Sequence, residues 1–585
     1  MPRLQSSSTP GQIPLVLGVT GHRNIDPADR GTLEERVREI IRDLRATYPN
    51  TPLVLLSPLA DGADRLVARV CVELGLGFQV PLPMPRDVYA TDFDDEPARA
   101  EFDALLSQAD HWFELPLADG VTLDDVSHHG SARVAQYDRV GEFIARHAEL
   151  LIALWDGRIT GKVGGTAEIV KWRLSTLPRE TTSELQPPDP VRSGPVIQIV
   201  TPRENQPRPA DALAVHWHYP PGLQGESVPG ATYQAVYRDL DRFNAQVLAV
   251  DPEAVAKSAE YLLPSSEAER LPIALRQTRT AFATADALAI ANQRSRVRVR
   301  LAVFETVIVA IFFYQIFDDL FFLPGHAVLT YPVVLGIAYL ISQWAKRRDF
   351  ENKYQDYRGL AEGLRVQFFW RLAGLTDSAE AHYLRRQRSE MNWVRKAIRV
   401  VWGLQGGRYP EILSPDERRC RADLAVKHWV EDQAKFFHRG SSRAEHKVHR
   451  FERFIGGIMK ACMAWSLLMG LAIVLPLPWH EELHHWMKHT WWADGFVLLS
   501  VGLPLTAAAM VHSYREGLEL GAHAKQYEAL ARLFDTARDQ LQRTDGAAPT
   551  DVPALLAELG REALIENGDW VLMHRERPLA LPHGH

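Results

Sequence analysis

Two stretches of this chain, residues 301–345 and 455–513, are far more apolar than the rest, and they limit the folds open to it. The first holds "LAVFETVIVAIFFYQIFDDLFFL" and "YPVVLGIAYLISQW", and the second holds "GGIMKACMAWSLLMGLAIVLPL" and "GFVLLSVGLPLTAAAMV". A helix needs about 20 apolar residues to cross the hydrocarbon of a bilayer. Each segment approaches that length, although the second is short and Glu305 interrupts the first. Buried core helices are the competing reading, and the flanking charges argue against it. Arg294, Arg296, Arg298 and Arg300 precede the first segment, and Lys346, Arg347 and Arg348 follow the second. Lys447, Arg450 and Arg453 precede the third, and Arg515 follows the fourth. Cations at both outer ends of each pair imply two hairpins with every large segment on the cytosolic side. The expectation is a multi-pass protein of the inner (cytoplasmic) membrane, with four transmembrane helices and both termini in the cytosol. The opening "MPRLQSSSTPGQ" has no apolar signal-peptide core, which fits a cytosolic start.

The remaining composition narrows the partners. At 585 residues there is room for several domains. A net charge of −7, with no basic stripe interleaved with aromatics along the sequence, argues against nucleic acid as a partner. Cys71, Cys420 and Cys462 lie too far apart in sequence for a disulfide framework or a metal cluster, and suit a reducing compartment.

Residues 1–205 alternate two periodicities. Apolar runs at Leu15–Gly18, Leu53–Leu56, Phe78–Leu82, Leu150–Trp155 and Val196–Val200 read as buried parallel strands. Between them lie amphipathic helices. One carries Leu33, Val37, Ile40, Ile41 and Leu44, with Thr32 and Glu35 spaced as a capping box. Another carries Leu66, Val67, Val70, Cys71 and Leu74, and stops at Gly75. The fold class is therefore an α/β doubly wound, Rossmann-like N-terminal domain followed by an all-α region with four transmembrane helices in two hairpins. The expected divisions are a nucleotide-binding domain at 1–205, a linker and helical coupling region at 206–300, and hairpins at 301–345 and 455–513. A cytosolic helical region at 346–454 separates the hairpins, and a cytosolic helix and tail fill 514–585. "KYQDYRGLAEGLR" after the first hairpin and "AKQYEALARLFDTA" after the second form a weak repeat that aligns Tyr357 with Tyr527.

In open α/β sheets, ligands bind beyond the carboxyl ends of the strands. The candidate site is therefore drawn from the loops after the strands: Gly18, Thr20, Gly21, His22 and Arg23; Asp61, Gly62 and Asp64; Arg86; Asp156; and Gly164, Gly165, Thr166 and Glu168. Glycines let backbone N–H groups approach an anion, and a helix N-terminus favours negative charge. Arg23 suits a bidentate phosphate contact, and Asp61 or Asp64 suits ribose hydroxyls. Each element has a plainer reading too. Gly18 and Gly21 read equally as turn residues, Asp64 as a helix cap, and Gly164-Gly165-Thr166 as an ordinary helix start.

The strand-GVTGHR loop, "SPLADGADRLVA" and "LLIALWDG…GGTAEIV" together resemble the SLOG superfamily of Rossmann-like nucleotide-ligand domains. That group includes cytokinin-activating phosphoribohydrolases, DprA-like proteins, and sensor domains of bacterial defence effectors and of melastatin-type TRP channels. The likeness spans roughly residues 12–205. The paired hairpins more loosely resemble SLATT-type membrane effectors. The resemblance implies a nucleotide-derived ligand, no required cofactor, a homo-oligomer in the bilayer and a setting in bacterial antiphage defence. Hydrolase members carry PGGxGTxxE with a catalytic glutamate. Here Val163-Gly164-Gly165-Thr166-Ala167-Glu168 lacks the proline and one residue before the threonine, so only Glu168 matches the catalytic position.

Two functions compete on these grounds. One is a ligand-gated, channel-like membrane effector, with Glu305 as a pore-facing or helix-pairing group. The other is a membrane-anchored nucleotide N-glycosidase (a phosphoribohydrolase or an NAD-cleaving enzyme) in which Glu168 is catalytic. Four spans exceed what an anchor needs, which favours the effector. His480-Glu481-Glu482-Leu483-His484 formally matches HExxH, with His485 and His489 nearby. Its short loop between two apolar segments, among Trp479, Trp486, Trp491 and Trp492, reads as an interfacial belt, and no metal site is expected there.

Overall fold

The computed structural model describes residues 9–93, 95–159, 164–175, 192–220, 228, 230–320, 329–383, 391–404, 413–474, 485, 500–502, 504–512, 520–543 and 552–575. The HExxH stretch His480–His484, the proline-rich loop at 176–191 and the start of the fourth apolar segment, 495–499, lie outside these residues.

The sheet strands are β1 (Leu15–Gly21), β2 (Leu53–Leu56), β3 (Gly77–Leu82), β4 (His111–Glu114), β5 (Leu150–Trp155), β6 (Val196–Val200) and β7 (Val215–His218). They form one sheet in the order β4-β3-β2-β1-β5-β6-β7. Every pairing is parallel except β6–β7. The central strands are dominated by apolar residues, with Thr20 and Gln198 buried among them, as expected where helices cover both faces of a parallel sheet. β4 and β7 escaped the sequence reading for a physical reason. β4 is only alternately covered and β7 is mostly exposed, so neither shows a continuous apolar run. β1 pairs with β2 on one side and β5 on the other, which makes their carboxyl ends the topological switch point.

Helices α1 (Arg30–Thr47), α2 (Ala63–Glu73), α3 (Arg86–Tyr89), α4 (Glu96–Gln108), α5 (Leu123–Ser127), α6 (Ser131–His147) and α7 (Thr166–Leu174) fill the connections. α2 stops as expected, with Gly75 in the left-handed region at φ +66°. The capping box proposed at Thr32 and Glu35 is overturned. A 3-10 turn at Pro27–Asp29, capped by the Asp26 carboxylate on the Ala28 N–H, starts the helix earlier. Asp29 then takes the N-cap position and binds Arg208 through both oxygens, at 2.7 and 2.9 Å, while Glu35 pairs with Arg38.

The rest is helical: α8 (Ala231–Val247), α9 (Pro252–Leu262), α10 (Ser265–Ala268), α11 (Ile273–Leu320), α12 (Thr330–Arg348), α13 (Phe350–Leu372), α14 (Asn392–Gly403), α15 (Pro415–Ala425), α16 (Asp432–Val474), α17 (Leu520–Arg543) and α18 (Val552–Arg575). The chain divides into two compact units. The first combines Met1–Leu288, Asp356–Ala422 and Pro553–Leu572, and the second combines Ala289–Gln355, Asp423–Val552 and Met573–His585.

Within the first unit, distant segments close on the sheet through buried polar groups. Asn244 of α8 exchanges two 2.9 Å hydrogen bonds with the backbone of Ile13. Asp241 accepts from Asn50 and Thr51. Lys396 of α14 meets Glu149, the residue before β5, at 2.5 Å, and both side chains are almost fully buried. Tyr233 and Tyr237 lie 5.0 and 5.2 Å from the Lys396 ammonium. Burial pushes that ammonium down to about 8, against the opposing pull of Glu149. Tyr237 and Arg173 donate to the Glu149 carbonyl at 2.8 and 2.7 Å. α18 docks on the same body: Trp370 donates to the Leu556 carbonyl at 2.9 Å, and Arg561 pairs with Asp377 at 3.0 Å. Gly560 is required there, since a Cβ would lie 2.2 Å from the Trp370 ring.

The second unit is built of antiparallel stems. α11 and α13 join through Arg296–Glu351 at 2.5 Å and Gln293–Tyr354 at 3.3 Å. α16 and α17 join through Phe437, Tyr527 and Phe534, with the Tyr527 ring against Gly440. Of the aligned tyrosines, Tyr357 packs on Phe243 and Trp393 in the first unit, while Tyr527 packs on Phe436 and Phe437 in the second. Among the described residues, one helix, Pro415–Leu471, is long and apolar enough to cross a membrane, and Ser500–His512 is a shorter apolar helix. Only 6% of the most apolar window of Pro415–Leu471 is buried.

Removing one partner of a buried ion pair typically costs about 3–5 kcal/mol, because the other charge stays desolvated. Lys396→Met is expected to destabilise the first unit on that scale, read as a lower thermal transition and faster proteolysis of the full chain. Adding Glu149→Leu is expected to recover most of the loss.

Candidate functional site

The switch point is closed by a direct contact. His22 follows β1, Asp156 follows β5, and their Nε2 and Oδ1 atoms lie 3.1 Å apart. The Asp156 backbone N–H also donates to His22 Nε2, at 3.1 Å. Burial lowers the His22 pKa, Asp156 opposes the shift and Arg203 adds to it. The second Asp156 oxygen lies 3.7 Å from the Arg203 guanidinium. Neither His22 nor Asp156 is an idle group awaiting a ligand.

The glycines here serve close packing first. Gly18, Val19 and Thr20 belong to β1 itself, so the strand runs to Gly21 instead of breaking at Gly18. A Cβ on Gly18 would lie 2.6 Å from that of Ala148. One on Gly21 would lie 2.3 Å from the Ala63 Cβ and 2.7 Å from the Leu154 carbonyl oxygen. Gly62, at φ +80°, sits against the His22 and Arg23 carbonyls, and a Cβ there would lie 2.3 Å from the latter. The result is a β1 terminus pressed onto the start of α2, with the Ala63 N–H bonded to the His22 carbonyl at 3.1 Å.

Arg23 emerges from this junction. It is exposed, its guanidinium lies 5.4 Å from the centre of the Tyr137 ring, and it has no hydrogen bond or ion pair among the described residues. Desolvation pulls its pKa down, but Tyr89, Tyr137, Asp92 and Asp64 outweigh that and raise it. Beside it, Asp64 occupies the first turn of α2 and is only 7% exposed. Burial pushes its carboxyl up to about 7, against Arg23, the Ala60 N–H and Arg65, with Asp61 reinforcing the shift. Asp61 is itself tied to Arg65 at 2.7 Å. Burial raises its pKa too, chiefly against Arg65 and Arg23.

The second glycine loop turns inward. Gly165 is the N-cap of α7, and the Glu168 carboxylate accepts from the Gly164 N–H at 2.9 Å. Gly164 has φ +70° and lies against the backbone of Asp138. Thr166 is the first residue of α7 and is half-buried. Arg86 stands apart from this group. Its backbone N–H binds Glu114 at 2.9 Å and its guanidinium pairs with Asp103 of α4 at 2.7 Å, both at the exposed surface. Glu305 is exposed on α11, in the other compact unit.

Sequence reasoning missed the wall behind Arg23. Arg133 and Asp92 form a buried 2.8 Å ion pair, Tyr137 donates to Asp92, and Arg133 donates to the Tyr137 hydroxyl at 3.1 Å. The spacing of Arg133 and Tyr137, one helical turn apart in "SARVAQYDRV", was the available signal. Arg65 was missed as well. It is almost wholly buried, donates to the Leu59 carbonyl at 3.0 Å and lies 4.2 Å from the centre of the Phe93 ring. Leu59, with φ +57°, holds the β2–α2 turn in a left-handed conformation, and its N–H bonds Ser57 Oγ at 3.2 Å. The assembly presents one uncommitted guanidinium, backed by tyrosines and a buried carboxyl, at the carboxyl edge of a parallel sheet. Such an arrangement suits an anion.

Asp64 allows a signed test. Its folded pKa lies above its unfolded value, so the folded state binds the extra proton between about pH 4 and pH 7. The stability this contributes is fully present below about pH 4 and is lost as pH rises through 7. A shift of this size corresponds to roughly 4 kcal/mol. Asp64→Asn is expected to raise the thermal transition at pH 8 and to flatten its pH dependence between 4 and 7, as followed by thermal melts across that range. In comparisons with protein-family models, curated proteins and solved structures, nothing matches the chain.

Proposed function

We propose that the N-terminal domain is a SLOG-like sensor that binds a nucleotide-derived anion at Arg23. Downstream, SLATT-like helical hairpins form a channel-like membrane effector. The observation that carries the ligand reading is Arg23, a guanidinium left without a carboxylate partner at the switch point. Neighbouring cations are already paired: Arg65 with Asp61, and Arg133 with Asp92. The membrane reading is supported by exposure. A core helix of comparable hydropathy would be covered, whereas Met463, Leu467 and Leu468 of α16 are all more than half exposed. On this reading the four apolar segments span the inner membrane with both termini in the cytosol, the protein is a homo-oligomer, and its setting is antiphage defence. Ligand binding shifts the effector only through a difference in affinity between its two states.

The N-glycosidase alternative requires Glu168 to face the ligand. Its carboxylate is instead bound to the Gly164 N–H of its own loop, which favours a structural role over an acid–base one.

Mass spectrometry of small molecules retained by the purified full chain is expected to find a phosphate-bearing nucleotide. Arg23→Ala is expected to weaken its retention about 10- to 100-fold, the scale of a hydrogen bond to a charged group. Full retention by the variant would remove Arg23 from the site. Multiple-turnover release of base from NAD or a nucleoside monophosphate would replace the sensor with an enzyme. Extraction of the chain from membranes by alkaline carbonate would overturn the membrane assignment.

A further inference from the structure

The sequence reading found no basic stripe, because the residues that make one are not adjacent. α16 assembles it. Arg439, Arg443, His446, Arg450, Arg453 and Lys460 recur at intervals of four, three, four, three and seven residues, which sets them along one helical face. All six are exposed. The stripe runs directly into the apolar stretch whose residues Met459, Met463, Leu467 and Leu468 are also uncovered.

Between Arg453 and Lys460 the helix carries Gly456-Gly457, where a Cβ would meet nothing within 4 Å. The missing side chains leave a notch in an open hollow of about 680 Å3. Among the described residues, His446, His449, Glu452, Arg453, Gly456, Gly457 and Lys460 line it. Glu452 is turned to His449, at 3.4 Å, within this lining. Lys460 is the informative residue. It stands one turn inside the apolar stretch, where an ammonium is costly unless it reaches the interface or meets an anion.

We propose that this notch binds the phosphate of an anionic phospholipid headgroup, held between Arg453 and Lys460 and steered there by the cations along α16. The proposal rests on the membrane reading above. Charge complementarity and the junction of a cationic stripe with an uncovered apolar helix select a lipid over a soluble partner. Basic residues beside a membrane helix attract anionic lipids, and each is worth roughly a fivefold change in partitioning.

The test uses the full chain in mild detergent, titrated with phosphatidylglycerol or phosphatidylcholine and read by native mass spectrometry. Phosphatidylglycerol is expected to be retained preferentially. Arg450→Gln/Arg453→Gln/Lys460→Gln is expected to reduce that preference about a hundredfold, while flotation with pure phosphatidylcholine vesicles is unchanged. Equal retention of the two lipids, or an unaltered preference in the variant, overturns the proposal. So does displacement of the lipid by inorganic phosphate or by duplex DNA at matched ionic strength, since the stripe would then serve a soluble anion or nucleic acid. Failure of both proteins to float with phosphatidylcholine vesicles refutes the membrane reading itself. Flotation without a headgroup preference refutes this proposal alone.

Discussion

The buried pair of Glu149 and Lys396 is the contact on which the first unit's unity depends. Glu149 stands at the entrance to β5, the strand beside β1 at the centre of the sheet, and Lys396 comes from a segment that follows the first apolar stretch, 301–345. Two charges withdrawn from water are a poor source of stability compared with an apolar pair of the same volume. They are, however, intolerant of mispairing. The ammonium needs its carboxylate and the two tyrosine faces, so α14 has one acceptable seat on the sheet. The pair therefore reads as a device for specificity, which turns a loose association of segments into a defined body.

The opposite end of β5 carries the candidate site. Asp156 holds His22, and the β1 terminus is clamped onto α2 by Gly21 and Gly62. The tightness of that junction is what frees Arg23. With Asp92 committed to Arg133 and the Asp64 carboxyl pushed up to about 7 by burial, the guanidinium projects without a full counter-charge. The charge balance at this edge is set by desolvation at least as much as by the number of acidic residues.

Much of this was legible in the residues. Predominantly apolar runs named the five inner strands, because a strand covered on both faces has no solvent-facing side to carry a regular polar alternation. The same logic hid β4 and β7, whose partial exposure mixes their patterns. The loop residues were identified by position, but their tasks were not. Glu168 closes back on Gly164, Arg86 turns to Asp103, and Gly18 serves strand packing. Nothing in a linear sequence tells an arginine with a carboxylate partner from one without, since Asp92 and Arg133 are forty-one positions apart. The four apolar segments were read from composition, and one helix alone meets the requirement of length and hydropathy among the described residues.

The first unit is stitched from three separate pieces of chain, the last being Pro553–Leu572. During synthesis, both apolar stretches, 301–345 and 455–513, leave the ribosome before that last piece exists. The sheet is translated first, yet Trp370 has no Leu556 carbonyl to bond until residues 553–572 have been made. Completion of the first unit thus waits on a segment translated after both apolar stretches. A nascent chain would carry both apolar stretches before the first unit is finished.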